Sequence, residues 1–505
     1  MKPKPFVVLA ALALASAGGM AHDAMADGPS VEAINVADLI AGLDLDQAQK
    51  ALASADPADP SFGYARARLA LYQGDCDGAV VAFADPRVAK LDDSGLADIA
   101  RGCARVVAAT ILERDTADDV VIRYQDEADR ALGPLLVDTV KKARETLTRD
   151  LGVDWPKPTR IVVVRDLVAL SAMTGLPYQS AATTGTVGIA KWGRVTLLSP
   201  RAHAHGYAWR DTLAHELTHL AVTHASGDRA PLWLQEGVAK REEVRWRSAS
   251  PFDDRPTPDS VVALGIQKHL DLPFDKFGPS IAMLPSADAA MVAFAEVTSF
   301  IRYFAASAGD GALRDLLKQL RVGHSIDEAL KTASGADLGG WEARWRAHLA
   351  AEKASPPPSL LVEETPELRN MRERVRLAEL LLGRGHPDEA LTQLDAVAGP
   401  LLEDPSVRYL KSRLLEAVSR PADAQRVLGD AGEVMPSYGP WWAIRGRLVR
   451  AAGDGATATA DFVEAVGQDP LDTEPACETL DPKAPSPSIL CDAARARDVP
   501  DVGRE

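Results

Sequence analysis

Two histidines stand four residues apart in the stretch TLAHELTHLAVTHASGDRAPLWLQEGVAK, which runs from Thr212 to Lys240, and a glutamate lies between them. On an α-helix, His215 and His219 project from one face, so both imidazoles can reach one metal ion with Glu216 beside it. The alternative is an ordinary amphipathic helix that happens to carry histidines. Because burial of two histidines and a carboxylate costs free energy unless they have a partner, the stretch favours a zinc site.

A catalytic zinc takes three protein ligands and keeps one position for water. His224 follows His219 by five residues, which turns it off the ligand face. The three-histidine pattern needs a glycine three residues after His219 and a histidine six residues after it, where this chain has Val222 and Ala225. Glu236 is the better candidate, because the turn HASGDRAP ends the first helix and PLWLQEG begins a second one that can return to the metal. The predicted ligands are His215, His219 and Glu236.

The chain is too long for one hydrophobic core, since its 505 residues correspond to about three domains. A hydrophobic content of 46% with 25% charged residues is typical of a folded soluble protein. The net charge of -16 argues against binding to nucleic acid or to an anionic membrane surface, because both require clustered lysine and arginine.

The first 26 residues have the layout of a cleavable secretory signal. Two lysines precede an apolar run from Phe6 to Ala17, and Ala24, Met25 and Ala26 fit the cleavage rule. A membrane anchor is the weaker alternative, because the run is shorter than the roughly 20 residues that span a bilayer. No later segment reads as apolar enough to span. We therefore expect a mature chain without a transmembrane segment, located in the periplasm or secreted.

Four cysteines form two pairs that are local in sequence, Cys76 with Cys103 and Cys477 with Cys491. In an exported chain, the simplest interpretation is two disulfides. The alternative is four buried free thiols, and the absence of a C-x-x-C spacing argues against a zinc site at these positions.

Short β-branched runs bounded by glycine and proline occupy the region from about Asp118 to Pro200. VVIRYQ, TRIVVVRD and RVTLLSP read as strands, and the segment ADRALGPLLVDTVKKARETLTRDLG between the first two has helical spacing. This region therefore predicts a small α+β layer that leads into the two histidines.

The region after the proline-rich segment AEKASPPPSLLVEETP consists of predicted helical pairs and resembles tetratricopeptide (TPR) repeats. Pro436 and Pro470 are separated by the 34-residue period of this repeat. Three units carry residues at the repeat's offsets: Gly385, Ala390 and Leu394; Ala424, Leu428 and Pro436; Trp442, Gly446, Gly453, Ala458, Phe462, Ala465 and Pro470. Near the N-terminus, FGYARARLALYQGDCDGAVVAF fits one further repeat or a plain helical hairpin equally well.

HELTH followed by PLWLQEGVA resembles the glutamate-zincins, and specifically the peptidase MA-like domains of exported bacterial proteins. GTVGIAKWGRVTLLSPRA resembles the strand segment before the zinc helix in that family. FAEVTSFIRYFAASAGDGALRDLLKQL resembles its C-terminal helical lobe, so the resemblance covers roughly Asp118 to Ala350. It implies a zinc metallopeptidase with one zinc ion per chain on His215, His219 and Glu236, and with Glu216 as the general base.

These inferences together predict a multi-domain α+β protein in which a small zincin-like domain is flanked by α-helical TPR-like repeats. The predicted divisions are a signal peptide 1–26, an N-terminal helical TPR-like region 27–115, a peptidase MA-like domain 116–352, a proline-rich linker 353–366, TPR repeats 367–480 and a C-terminal tail 481–505.

The residue that would donate a hydrogen bond to the oxyanion is not apparent from the sequence. In the resembled family it is expected near Phe294, which has no donor. Tyr303, His269 and Tyr207 are candidates that the sequence does not rank. His203 and His205 are expected to be surface histidines, because no carboxylate shares their spacing.

Two functions from different classes remain open at this stage. The first is an exported zinc peptidase that acts on a peptide or protein substrate, with repeats that recruit protein partners or position substrate. The second is a repeat scaffold in which the zinc domain binds but no longer turns over. Glu216 favours the first, because a structural site has no use for a base, and Phe294 leaves room for the second.

Overall fold

The computed structural model describes residues 31–153, 156–203, 206–249, 253, 256–351, 360–363, 365–429, 438–478 and 489–498. The predicted signal peptide, much of the predicted linker, His205 and Pro436 lie outside these ranges. The described chain is mostly helical and contains one small mixed sheet, in agreement with the predicted α+β class.

The N-terminal region is helical. Its elements are α1 (Val31–Ala41), α2 (Leu45–Ala53), α3 (Pro60–Tyr72), α4 (Cys76–Phe83), α5 (Pro86–Ala89) and α6 (Leu96–Val107). α3 and α4 form a hairpin, and Gly74 makes its turn with φ of 81°, a conformation that favours glycine. The first predicted disulfide is present and joins Cys76 at the start of α4 to Cys103 in α6. The hairpin fits both a TPR unit and a plain helical pair.

Five strands form the sheet in the order β1-β2-β3-β5-β4. They are β1 (Ile111–Asp115), β2 (Val120–Tyr124), β3 (Thr159–Val164), β4 (Gly188–Lys191) and β5 (Arg194–Leu198). β2, β3 and β5 are parallel and correspond to the three apolar runs of the sequence, whereas β1 and β4 pair antiparallel at the edges. β1 lies before residue 116, where we predicted the central domain to begin. This strand was not predicted because its sequence, ILERD, is largely polar.

The two faces of the sheet pack against different helices, as the alternation of side chains along a strand requires. One face contributes Ile122, Val163 and Leu197 to the largest core of the molecule. The other face contributes Val162 and Val164 to a separate core with the N-terminal helices. The sheet therefore lies between the N-terminal helices α3, α4 and α6 and the helix that carries the two histidines.

The helices of the central region are α7 (Gly133–Leu151), α8 (Leu167–Thr174), α9 (Tyr178–Thr184), α10 (Trp209–Ser226), α11 (Leu232–Glu242), α12 (Pro258–Gln267), α13 (Ala287–Ala308), α14 (Asp310–Arg321), α15 (Ile326–Ser334) and α16 (Leu338–Ala351). α7 is the helix predicted between the first two apolar runs. α10 packs on α7 and on β4 and β5, and α11 packs between α10 and α13.

Among the described helices, α13 is long and apolar enough to cross a membrane by length and composition. This corrects the expectation that no segment after the N-terminus is apolar enough. Its most apolar window has a mean hydropathy of 1.3, and 72% of that window is buried inside the fold. α13 contacts α11, α12, α14 and α16, so its apolar surface is covered by protein.

The C-terminal region consists of α17 (Pro366–Gly383), α18 (Pro387–Asp395), α19 (Pro405–Ala417), α20 (Pro421–Leu428), α21 (Gly439–Ala451), α22 (Gly455–Gln468), α23 (Thr473–Glu478) and α24 (Ile489–Asp498). The first six pack as consecutive pairs. A side chain at Gly446 would meet Phe462 at 2.9 Å, so glycine allows α21 and α22 to approach closely. The second predicted disulfide joins Cys477 to Cys491. The assignment of these pairs as TPR repeats stays a prediction.

The end of α22 contacts the segment that leads into α10. The Tyr207 N–H donates to the Gln468 carbonyl at 2.9 Å. A Cβ at Gly206 would lie 2.3 Å from the same carbonyl oxygen, so only glycine fits this approach. The C-terminal helices are therefore joined directly to the N-terminal end of the helix that carries His215 and His219.

Candidate metal centre

α10 is held in place by its apolar face. Leu213, Leu217 and Ala221 are fully buried, because the helix lies against the sheet on one side and against α7 on another. Gly227, with φ of 61°, ends the helix in the left-handed conformation that helix termini commonly use. The chain then turns and starts α11 after Pro231.

α11 returns beside α10 and presents Glu236 to the two histidines. Its position depends on Gly237, where an added Cβ would lie 2.5 Å from Ile301 Cγ1 and 2.7 Å from the Val297 carbonyl oxygen. A larger residue would push α11 away from α13. The close packing of Gly237 against α13 thus helps to set the position of the neighbouring Glu236 relative to the two histidines.

The structure brings the three predicted ligands together, and their ligand atoms face one another. His215 Nε2 lies 3.1 Å from His219 Nε2, and Glu236 Oε2 lies 3.5 Å and 3.4 Å from these two nitrogens. In the plane of the three atoms, the point equidistant from them is about 1.9 Å from each, and a position slightly off this plane gives the ~2.0–2.2 Å of zinc bonds to nitrogen and oxygen. Two imidazoles and one carboxylate are also a donor set that catalytic zinc sites use. These residues therefore fit a zinc ion.

A further group of residues holds the two imidazole rings by their other nitrogens. His215 Nδ1 is 3.0 Å from Glu243 Oε2, and His219 Nδ1 is 3.4 Å from Gln235 Oε1. Lys240 Nζ donates to both oxygens of Glu243, at 2.7 and 3.0 Å. These contacts leave Nε2 of each histidine directed at the shared point.

Glu243 and Gln235 were not predicted as site residues from the sequence. A signal was available for the first, because Glu236, Lys240 and Glu243 follow one another at helical spacing and so share one side of α11. Burial alone would raise the pKa of the Glu243 carboxyl, but Lys240 and His215 outweigh it and lower that pKa to about 2. Glu243 is therefore ionised and can accept a hydrogen bond from His215 at neutral pH.

Glu216 lies beside the three converging groups and is held by the edge strand. Its Oε2 accepts a hydrogen bond from the Ala190 N–H at 2.6 Å. Gly188 makes room for it, since an added Cβ there would lie 3.0 Å from Glu216 Cγ and 3.1 Å from Oε1. Burial raises the pKa of Glu216 above its usual value, although His219 and His215 oppose that rise. A raised carboxyl pKa suits a group that must accept and later release a proton.

Glu236 has a different electrostatic environment from Glu216. Burial would raise the pKa of its carboxyl, but His219 and His215 hold that pKa well below its usual range. Two glutamates in one buried site therefore differ in proton affinity, with Glu236 the more strongly ionised. This difference is consistent with a ligand role for Glu236 and a proton-transfer role for Glu216.

Of the three candidates for an oxyanion donor, none has a hydrogen bond to the converging groups within the described chain. Tyr303 stacks on His348 at 5.0 Å between ring centroids, and His269 is exposed after α12. The Tyr207 hydroxyl donates to the Leu198 carbonyl. Burial, with Asp129 and Glu216 nearby, raises the pKa of Tyr207 well above its usual value.

Phe294 does lie at the site, where the resemblance predicted an oxyanion donor. Its ring centroid is 6.4 Å from that of His215, and Lys240 Nζ is 5.7 Å from the Phe294 ring. His224 and His203 lie outside the three converging groups, as predicted from the sequence. His224 Nδ1 is hydrogen-bonded to the Gly42 carbonyl at 3.0 Å, and His203 is exposed.

A two-histidine, one-glutamate site on two helices beside a small mixed sheet defines a candidate metal-dependent hydrolase. Residues 139–351 match the family model of the Peptidase MA superfamily, so this part of the chain is similar to that family. Among solved structures, native yeast LTA4 hydrolase is similar at 12% identity and a TM-score of 0.30, over 74% of this chain and 66% of that one. The chain spans less than two thirds of the length of that protein. No curated protein matches the sequence.

Proposed function

We propose that the protein is an exported zinc metallopeptidase, in which His215, His219 and Glu236 bind one zinc ion and Glu216 is the general base. The observation that carries the proposal is that the ligand atoms of His215, His219 and Glu236 converge, with the buried carboxylate of Glu216 beside them. A site that only held a metal would have no need of Glu216. The match of residues 139–351 to the Peptidase MA superfamily supports the same reaction class.

Each residue of the site has a separate role in the proposed hydrolysis of a peptide bond. His215, His219 and Glu236 would hold a zinc ion, which would supply a water of lowered pKa and polarise the scissile carbonyl. Glu216 accepts a proton from the attacking water and passes it to the leaving amine, while the Ala190 N–H keeps its carboxylate oriented. Glu243 and Gln235 keep the two imidazole rings in place.

The C-terminal helical pairs are proposed to be TPR repeats that recruit a protein partner or position a protein substrate. Their connection to the segment before α10, through Tyr207 and Gln468, supports a role close to the metal site. Export to the periplasm or the outside of the cell is proposed from the N-terminal sequence. The two disulfides support it, since disulfides persist in oxidising compartments.

A second function is a zinc-binding scaffold without turnover, and one observation favours it. Phe294 lies beside His215 and offers no hydrogen bond to an oxyanion. Loss of one such donor lowers kcat by about 10²–10³ in other hydrolases. A protein with this deficit would keep its metal and its repeats while cleaving peptides slowly or not at all.

The proposed function is tested by incubating the purified mature protein with a diverse peptide mixture, with and without a chelator, followed by mass spectrometry. A peptidase is expected to give new cleavage products that disappear with chelator and return when zinc is restored. The absence of metal-dependent products from a folded, zinc-loaded protein would favour the scaffold. Products that are insensitive to the chelator would contradict both functions.

Glu243→Gln is expected to weaken zinc binding by roughly 10–100-fold, the range for groups that hold a metal's ligands in place. The substitution keeps the size of the side chain but removes the charge opposite His215 Nδ1. Competition with a chromophoric chelator measures the affinity. The matched control is Glu373→Gln, an exposed glutamate on α17. Equal zinc affinity in both variants would show that Glu243 has no part in metal binding.

A further inference from the structure

Four arginines lie on the face of the sheet that points away from α10. The register places Arg114 of β1 and Arg160 of β3 in one row, on either side of Val121 of β2. Arg123 is two residues from Val121 on β2 and so shares its face. Arg194 begins β5, the neighbour of β3, and Arg160 is close enough to disfavour its positive charge.

These arginines line a cavity of about 390 Å³ between the sheet and the N-terminal helices. The opposite wall includes Gly74 and the Cys76–Cys103 disulfide. Four arginines and two aspartates give the lining a net charge of +2, whereas the whole chain has a net charge of -16. The cavity is therefore a local positively charged site on a protein whose net charge is negative.

The most buried of the four, Arg194, is 2% exposed. Its Nη1 donates to the Leu71 carbonyl at 2.8 Å, but Nε and Nη2 have no hydrogen-bond partner in the part of the chain that the structure describes. Burial and the nearby Arg160 lower the pKa of Arg194 to about 10, so it remains charged at neutral pH. A buried cation next to a second cation is unfavourable unless an anion accompanies them.

The other three arginines form no ion pair within the described part of the protein, although Asp119 and Asp46 favour the positive charge of Arg160 from a longer distance. Arg114 is exposed to solvent. Arg160 and Arg123 donate to neutral oxygens, of Pro158 at 3.3 Å and of Thr110 at 3.2 Å. Among the described residues, no carboxylate lies within ion-pair distance of any of the four guanidinium groups. Asp75, which lines the cavity, instead caps α4 by accepting from the Gly78 N–H.

We propose that this cavity binds a small molecule that carries a phosphate group. A guanidinium presents parallel N–H donors that match two oxygens of a phosphate, and several arginines around one cavity can surround such a group. At neutral pH a phosphate monoester carries close to two negative charges, which matches the net charge of the lining. The cavity lies across the sheet from α10, so this site is separate from the proposed metal centre and does not depend on it.

The test is isothermal titration of the zinc-loaded mature protein with inorganic phosphate at constant ionic strength. We expect saturable binding at one site, with roughly millimolar or tighter affinity. Arg160→Gln and Arg123→Gln are each expected to weaken it by about tenfold or more, because each loses a charged hydrogen bond to the ligand. The matched control Arg105→Gln removes the same charge from an exposed position on α6 and should bind as the wild type does.

Three results would overturn the proposal. One is the absence of saturable binding in the folded wild type. Another is unchanged binding in the Arg160→Gln, Arg123→Gln double variant, which would place the phosphate elsewhere, for example at the metal centre. The third is acetate binding as tightly as phosphate, which would make the site a carboxylate site. Circular dichroism of each variant separates loss of binding from loss of fold, and neither arginine is fully buried.

Discussion

Glu216→Gln is expected to keep zinc and to lose turnover by about 10²–10⁴-fold, the usual contribution of a general base. Glutamine has the same shape, and its amide oxygen can still accept from the Ala190 N–H, so α10 and the edge strand should stay in place. The three ligand atoms belong to other residues, so metal content should remain one ion per chain. Elemental analysis and cleavage of a peptide identified in the screen measure the two quantities.

The control for this variant is again Glu373→Gln, which removes an exposed carboxylate from α17 and should change neither quantity. Chelator-sensitive cleavage that continues at the wild-type rate in Glu216→Gln would contradict the assigned base, although the protein would still be a peptidase. The scaffold function predicts a different result. If the protein is a scaffold, the wild type cleaves no peptide, and partner capture is unchanged in Glu216→Gln but lost when the region after Pro366 is deleted.

The parts of the site that the sequence predicts are those set by local geometry. His215 and His219 share a face because a helix repeats every 3.6 residues, and HASGDRAP marks the turn before Glu236 returns. The structure brings these three residues together as predicted. Their roles as ligands, and that of Glu216 as the base, remain part of the proposed function.

The residues that the sequence does not predict depend on contacts between distant segments. Ala190 meets Glu216 only because β4 is the edge strand next to α10, and no pattern in GIAK reports that position. β1 was missed for a related reason, since an edge strand with one exposed face and one partly buried face carries few apolar residues. α13 shows the reverse case, in which composition permits a membrane span but packing covers the helix.

His219→Ala and Glu236→Ala are each expected to lose tightly bound zinc, and activity should fall with it to the level of chelated wild type. Each removes one of three converging donors, so the affinity loss should exceed the roughly 10–100-fold expected for a group behind the ligands. Zinc content after dialysis and the rate of peptide cleavage measure the result. This pattern is the opposite of that for Glu216→Gln, which should lose activity while it keeps the metal.

His224→Ala is the matched control, because it removes a histidine from the same helix, five residues beyond His219. The His224 ring is hydrogen-bonded to the Gly42 carbonyl, away from the other two histidines. The variant should therefore retain both zinc and activity, even if its fold is less stable. One zinc ion per chain in His219→Ala or Glu236→Ala would show that the ligands are misassigned. Loss of zinc in all three variants would instead point to general damage to α10, and circular dichroism would detect it. A protein that keeps zinc in His224→Ala and Glu216→Gln, and loses it only in the ligand variants, has its metal where the three donors converge.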